Sequence, residues 1–312
     1  MQASRPRIAR RPVHGVLLLD KPLGLSSNDA LQKAKRLYRA EKAGHTGTLD
    51  PLASGLLPLC FGAATKFSQV SLDADKRYIA TLGLGRTTTT GDLEGSTVQE
   101  RPVQLQRADI EAACLRFTGQ IEQCPPMHSA LKHEGRALYE YARQGIAVER
   151  AARAVTIHRL DILDWQDATL VIDVTSSKGT YIRTLAEQIG QALGCGAHLA
   201  ALRRTGSGAL AVADAITLDE LAALDEPARD ARLLPPDVLL ADWTALRLAA
   251  DEAGRFLTGL RRRVDAPDNE RVRVYGPQAG ALLGAAHIRA GELIPDRLLS
   301  PAELQGLLAL PT

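Results

Sequence analysis

Gly15-Val16-Leu17-Leu18-Leu19-Asp20-Lys21-Pro22-Leu23-Gly24-Leu25-Ser26-Ser27 is followed, after one helical stretch, by Gly44-His45-Thr46-Gly47-Thr48-Leu49-Asp50-Pro51. Val13 to Leu19 reads as a buried strand, stopped by Asp20-Lys21-Pro22, with Gly24 permitting a turn. Ser27 is placed to cap the next helix, with Asp29 in its first turn. Ala30, Leu31, Ala34, Leu37 and Tyr38 make that helix's apolar stripe, while Lys33, Lys35, Arg36 and Arg39 face out. Gly44 and Gly47 then punctuate a loop. Pro51 disfavours the α region for the residue before it, so Asp50 is presented from extended or turn backbone. Alone, a carboxylate there would simply cap a turn.

Outward from this passage, strands are expected at Arg77 to Leu84 and at Leu170 to Thr175, and a helix around Ile110 to Phe117. Strands and helices mixed without a regular βαβ rhythm predict an α+β fold with a mixed, largely antiparallel sheet. Pro227 and Pro235-Pro236 punctuate an Ala, Leu and Asp rich stretch, placing a domain boundary near residue 245. Beyond it, Arg271 to Tyr275 and Leu282 to Ile288 are strand candidates in a small β-rich module. The 312 residues suit two or so domains. The longest apolar runs fall far short of the roughly 20 residues a membrane span needs, and the run after His14 lacks a small-residue cleavage site. A cytoplasmic protein is expected.

Cys60, Cys114, Cys124 and Cys195 are scattered, without Cys-x-x-Cys or neighbouring His, and read as small buried hydrophobes rather than as a zinc site or disulfide framework. Formal net charge is +2, but residues 1 to 50 hold ten Lys or Arg, including Arg5, Arg7, Arg10 and Arg11, against four Asp or Glu. That asymmetry suits an approach by a phosphate backbone; a solvated helix face is the alternative. Thr46-Gly47-Thr48 overlaps the Asp-Lys-Thr-Gly-Thr run of phosphorylating ion pumps, but Gly44 stands where the nucleophile would be. No Gly-Lys-Ser/Thr phosphate loop is present either.

The two quoted blocks, with Leu52-Ala53-Ser54-Gly55-Leu56-Leu57 continuing the second, resemble the TruB-type tRNA pseudouridine-55 synthases. The resemblance continues in order through Asp75-Lys76-Arg77-Tyr78, Gly85-Arg86-Thr87 with Gly91-Asp92, Ser129-Ala130-Leu131-Lys132, Ser177-Lys178-Gly179-Thr180-Tyr181-Ile182-Arg183 and Leu202-Arg203-Arg204. It implies a pseudouridine synthase catalytic domain over 1–245, including a thumb-like insertion at about 125–147, and a PUA-like RNA-binding domain over 246–312. The implied reaction breaks an N-glycosidic bond, rotates the uracil and rejoins it through carbon, so it needs no metal, redox cofactor or nucleotide. Its partner is tRNA, through the T-arm; no membrane or protein partner is required, and a monomer is expected.

The resemblance makes Asp50 the catalytic carboxylate, acting as a nucleophile or in stabilising and deprotonating intermediates. It leaves open attack at the sugar, attack at the uracil ring and elimination through a glycal. It makes Tyr181 a uracil contact and candidate base for the C5 proton, Tyr78 a stacking partner, Leu202 part of an apolar wall, and Lys21 a substrate-binding residue. His45 is placed against the RNA, in the space the flipped uridine leaves. For Tyr78, Tyr181 and Leu202 core packing is the competing reading. Thr184-Leu185-Ala186-Glu187 fits a capping box, which makes the preceding residues extended, with Tyr181 and Arg183 on one strand face. An arginine so placed is predicted to pair with Asp50. Lys132, His133, Arg136, Tyr139, Tyr141 and Arg143 give 125–146 the character of a flap that orders on RNA; His128 replaces the family's usual tyrosine. Arg255, Arg261, Arg262, Arg263, Arg271 and Arg273 are candidates for stem phosphates.

Overall fold

The apolar run after His14 forms the strand Gly15–Lys21, with Val16, Leu17, Leu18 and Leu19 all buried, as a run without alternation requires. It is displaced two residues from the expected span because its antiparallel neighbour, Ala53–Phe61, pairs from Gly15 with Phe61 through to Lys21 with Gly55. The computed structural model describes residues 9–308, so Arg5 and Arg7 lie outside the described residues.

The chain divides into two compact units: Met1–Pro51 with Gly55–Leu72 and Ala209–Thr312, and Leu52–Ser54 with Asp73–Gly208. In the first, Ile216–Thr217 runs parallel to Gly15–Lys21, and Ala43–His45 runs antiparallel to Ala53–Phe61. The helix Ser27–Leu37 lays Ala30, Leu31 and Ala34 onto Leu17, Leu19, Leu57 and Phe61. Its N-cap is Ser26, not Ser27: the Ser26 hydroxyl accepts from Asp29 N at 3.1 Å. Tyr38 is the C-cap; its ring packs on Phe61 and its hydroxyl donates to Arg229 O at 2.7 Å. The same unit holds a five-stranded sheet in the order Thr244–Arg247, Asn269–Tyr275, Leu282–Arg289, Glu292–Leu298, Arg262–Arg263. Phe256, Val272, Val274, Ile288 and Leu293 form its core, so both expected C-terminal strands are present.

The second unit is an antiparallel sheet in the order Ala197–Ser207, Lys76–Leu84, Thr169–Ser176, Arg153–Gln166, Gly119–Gln123. The strand Lys76–Leu84 buries Lys76, Tyr78, Ala80, Leu82 and Leu84 at every second position, the period a pleated strand imposes. The helix Ile182–Ala192 packs against this sheet through Gly190, where a Cβ would come within 2.1 Å of Ala197 N. The helix expected near Ile110 is Arg107–Arg116. Together the elements make the expected α+β, largely antiparallel architecture with a β-rich C-terminal part. Among the described residues no helix is long and apolar enough to cross a membrane.

Candidate active site

Asp50 is half-buried and lies outside helix and strand, between Ala43–His45 and Ala53–Phe61. The loop before it is pinned at several points. His45 pairs with Leu59, and Thr46, fully buried, donates its N–H to Pro58 O at 3.1 Å and accepts from the Ser71 hydroxyl at 3.0 Å. Gly47 has φ +102°, a conformation that favours glycine. Leu49 is held by the Ser27 hydroxyl, and Pro51 O accepts from Gly24 N at 2.8 Å. Lys21 is fully buried, its ammonium donating to Pro22 O at 2.9 Å and Leu25 O at 2.7 Å. The basic N-terminal segment also presents less charge than its composition suggested. Arg11 is paired with Asp230, with 2.8 Å from Nη1 to Oδ2, and Arg39 with Glu226.

In the second unit, Arg183 sits one residue into the helix Ile182–Ala192 rather than on a strand. The expected capping box does not form: Tyr181 is the N-cap, and the buried Thr184 Oγ1 has no hydrogen-bond partner. The reason is a distant side chain. Gln123, 1% exposed, accepts from Tyr181 N at 3.0 Å and donates to Tyr181 O at 3.3 Å, fixing the residue in an extended conformation and starting the helix directly after it. Arg183, 7% exposed, donates to Asp92 Oδ2 at 3.1 Å, Thr90 O at 3.3 Å and His128 O at 2.5 Å. Asp92 is itself braced: its Oδ1 accepts from Thr90 Oγ1 at 2.5 Å and Glu94 N at 3.1 Å. This buried pair carries compensating charges and further hydrogen bonds on both partners, the condition under which ions can be buried.

Tyr181 is half-buried, with the Arg153 guanidinium 5.4 Å over its ring and Arg153 Nη2 donating to Gly179 O at 3.0 Å. On the sheet, Tyr78 pairs with Arg204 and Ala80 with Leu202, so Tyr78, Arg204 and Leu202 share one face. Burial pushes the Arg204 guanidinium below its usual pKa while the Tyr78 hydroxyl, hydrogen-bonded to it, opposes the shift. Burial, reinforced by Arg204, lowers the neighbouring Lys76 ammonium to about 8. In the 125–147 segment, Lys132–His133 and Arg136–Ala137 form a small hairpin before the helix Leu138–Ala142. Arg136 lies over Tyr141 and Arg143 over Tyr139, at 4.9 and 5.2 Å. Among the described residues no group of three or more His, Cys, Asp or Glu is arranged to hold a metal. Cys124 is exposed, unlike the other three cysteines.

Three family models match the chain in succession: the N-terminal domain of TruB family pseudouridylate synthases over 35–182, the C-terminal domain of tRNA pseudouridylate synthase B over 183–241, and the C-terminal region of pseudouridine synthase II TruB over 244–299. The tRNA pseudouridine synthase B of Verminephrobacter eiseniae is 60% identical, covering 98% of this chain and 95% of its own. The chain belongs to the TruB family. The enzyme of the same name from Cupriavidus pinatubonensis is 59% identical over 94% of this chain and 96% of its own. A chain in the crystal structure of a Cbf5-Nop10-Gar1 complex shares the fold, with a TM-score of 0.74 at 24% identity, covering 93% of this chain and 86% of that one. Within this TruB-family chain, Asp92, Gln123 and Arg204 are the braces that sequence reasoning did not assign. Asp92 stood in a quoted motif, Gly91-Asp92, but its partner lies 91 positions away.

Proposed function

We propose that the protein is a tRNA pseudouridine synthase, an isomerase that converts the T-loop uridine U55 of tRNA to pseudouridine. The observation that carries this reading is the near full-length similarity to relatives named tRNA pseudouridine synthase B. Asp50 is the catalytic carboxylate and Arg183 its ionic partner, which keeps it charged and oriented. The bond from C1′ of the ribose to N1 of uracil breaks, the base turns, and C1′ joins C5. The C5 proton leaves, with Tyr181 as the base, and a proton returns to N1, so atoms balance without a cofactor. The Arg183 guanidinium is buried and held in place by Asp92, Thr90 and His128, which suits a fixed positive charge.

Reaching the bond requires the nucleotide to leave its stack, at a cost of a few kcal/mol. Tyr78 stacks on the flipped base and Leu202 walls it, a role their shared face suits. His45 occupies the vacated space, and Lys21 serves substrate binding through the loop carbonyls it holds. Residues 1–245 form the catalytic domain and 246–312 a PUA-like RNA-binding domain; the arginine and tyrosine pairs of the 125–147 thumb face RNA. The enzyme acts as a monomer in the cytoplasm. Incubating it with unmodified tRNA and mapping pseudouridine at nucleotide resolution tests the reading. A single new site in the T-loop is expected. A product elsewhere overturns the substrate, and no product overturns the reaction.

A further inference from the structure

Ser26 and Ser27 are adjacent and both look like helix caps, yet only Ser26 serves as one. Its hydroxyl accepts from Asp29 N and donates to Asp29 Oδ2 at 2.6 Å. The Ser27 hydroxyl, on a residue 2% exposed, is thereby left for another purpose. It donates to Leu49 O at 3.0 Å and accepts from Leu49 N at 2.7 Å, closing both backbone polar groups of the residue immediately before Asp50. Leu49 is 3% exposed, so water does not replace those bonds readily. On the other side of Asp50, Pro51 O is held by Gly24 N. The 24–27 segment therefore grips the chain on either side of the carboxylate, and the buried Lys21 ammonium braces that segment through Leu25 O and the turn before it through Pro22 O.

We infer that Ser27 is a positioning residue for the reaction: its hydroxyl sets the backbone of Leu49 and so the direction in which Asp50 presents its carboxylate. This rests on the reading of Asp50 as the catalytic group. Asp50 precedes a proline and lies outside helix and strand, so the direction of its side chain follows from how the backbone on either side of it is held. Misplacing a reacting group by an ångström costs about 100-fold in rate. A hydroxyl that only satisfied buried backbone would affect stability and leave the chemical step alone.

The test compares wild type, Ser27→Ala, Ser27→Cys and Asp50→Asn by single-turnover pseudouridine formation, tRNA affinity and thermal unfolding. Ser27→Cys fills nearly the same space with a weaker donor and acceptor, which keeps the test valid if the alanine variant does not fold. The expected result is a single-turnover rate lowered about 10- to 100-fold in the folded Ser27 variants, with tRNA affinity within about twofold and faster hydrogen exchange at the Leu49 amide. A folded Ser27 variant with the wild-type single-turnover rate overturns the inference, whatever its unfolding temperature. Turnover by Asp50→Asn would show instead that the underlying assignment of the carboxylate is wrong, and the inference would fall with it.

Discussion

Replacing Asp92 by alanine removes the carboxylate paired with Arg183 at 3.1 Å, and it does so where the two side chains are only 3% and 8% exposed. Solvent screening is therefore slight, and breaking one side of such a pair costs about 3–5 kcal/mol. Arg183 keeps the carbonyls of Thr90 and His128, which places the loss at the lower end, while the Thr90 hydroxyl and Glu94 N–H also lose their acceptor. A loss of about 3 kcal/mol lowers the midpoint by roughly 6–12 °C, taking 2–4 °C per kcal/mol for chains of comparable size. Asp92→Asn retains an acceptor for Thr90 and Glu94 and should lose about half as much. Calorimetric or dichroism melts read these losses. A melting transition unmoved by Asp92→Ala would refute the claim that this pair holds Arg183.

Burial pushes the Glu187 carboxyl above its usual range, outweighing the attraction of Arg183, so protonation favours the folded state and ionisation opposes it. Glu187→Gln should accordingly raise stability at pH 7, with the advantage fading as the pH falls towards about 4, where the unfolded carboxyl also protonates; urea titrations at several pH values check this. Tyr38→Phe deletes the bond to Arg229 O and should cost about 1–2 kcal/mol in the same assay, without changing turnover at a temperature where the variant is folded. Gly190→Ala drives a methyl to within 2.1 Å of Ala197 N and should destabilise by about 3 kcal/mol, seen as a lowered denaturation midpoint.

What could be read from sequence divides along the range of the interactions. Alternation placed Lys76–Leu84 and Thr169–Ser176 nearly to the residue, because one face of each strand is packed and the period of two survives in the side chains. Local capping chemistry was less informative. Ser27 and Thr184 both have the residue type and spacing of caps, but Ser26 caps the first helix and leaves the Ser27 hydroxyl to Leu49, while the second helix begins at Ile182 through a contact from elsewhere in the chain. For Thr184 it is Gln123, 58 positions before Tyr181. Charge counting failed for a related reason: Arg11 and Arg39 are neutralised by Asp230 and Glu226, roughly two hundred residues on. Motif order singled out Asp50 and Arg183 as candidates. The braces that hold them, Ser27 on Leu49 and Asp92 on Arg183, required coordinates.

The most direct measurement of the central claim uses a tRNA transcript tritiated at uridine C5, since forming the new carbon bond must release that label. Wild-type protein is predicted to release tritium from the T-loop uridine, whereas Asp50→Asn should bind the same tRNA with nearly unchanged affinity and release none. Release by Asp50→Asn at the wild-type rate would contradict the assignment of Asp50 as the catalytic carboxylate.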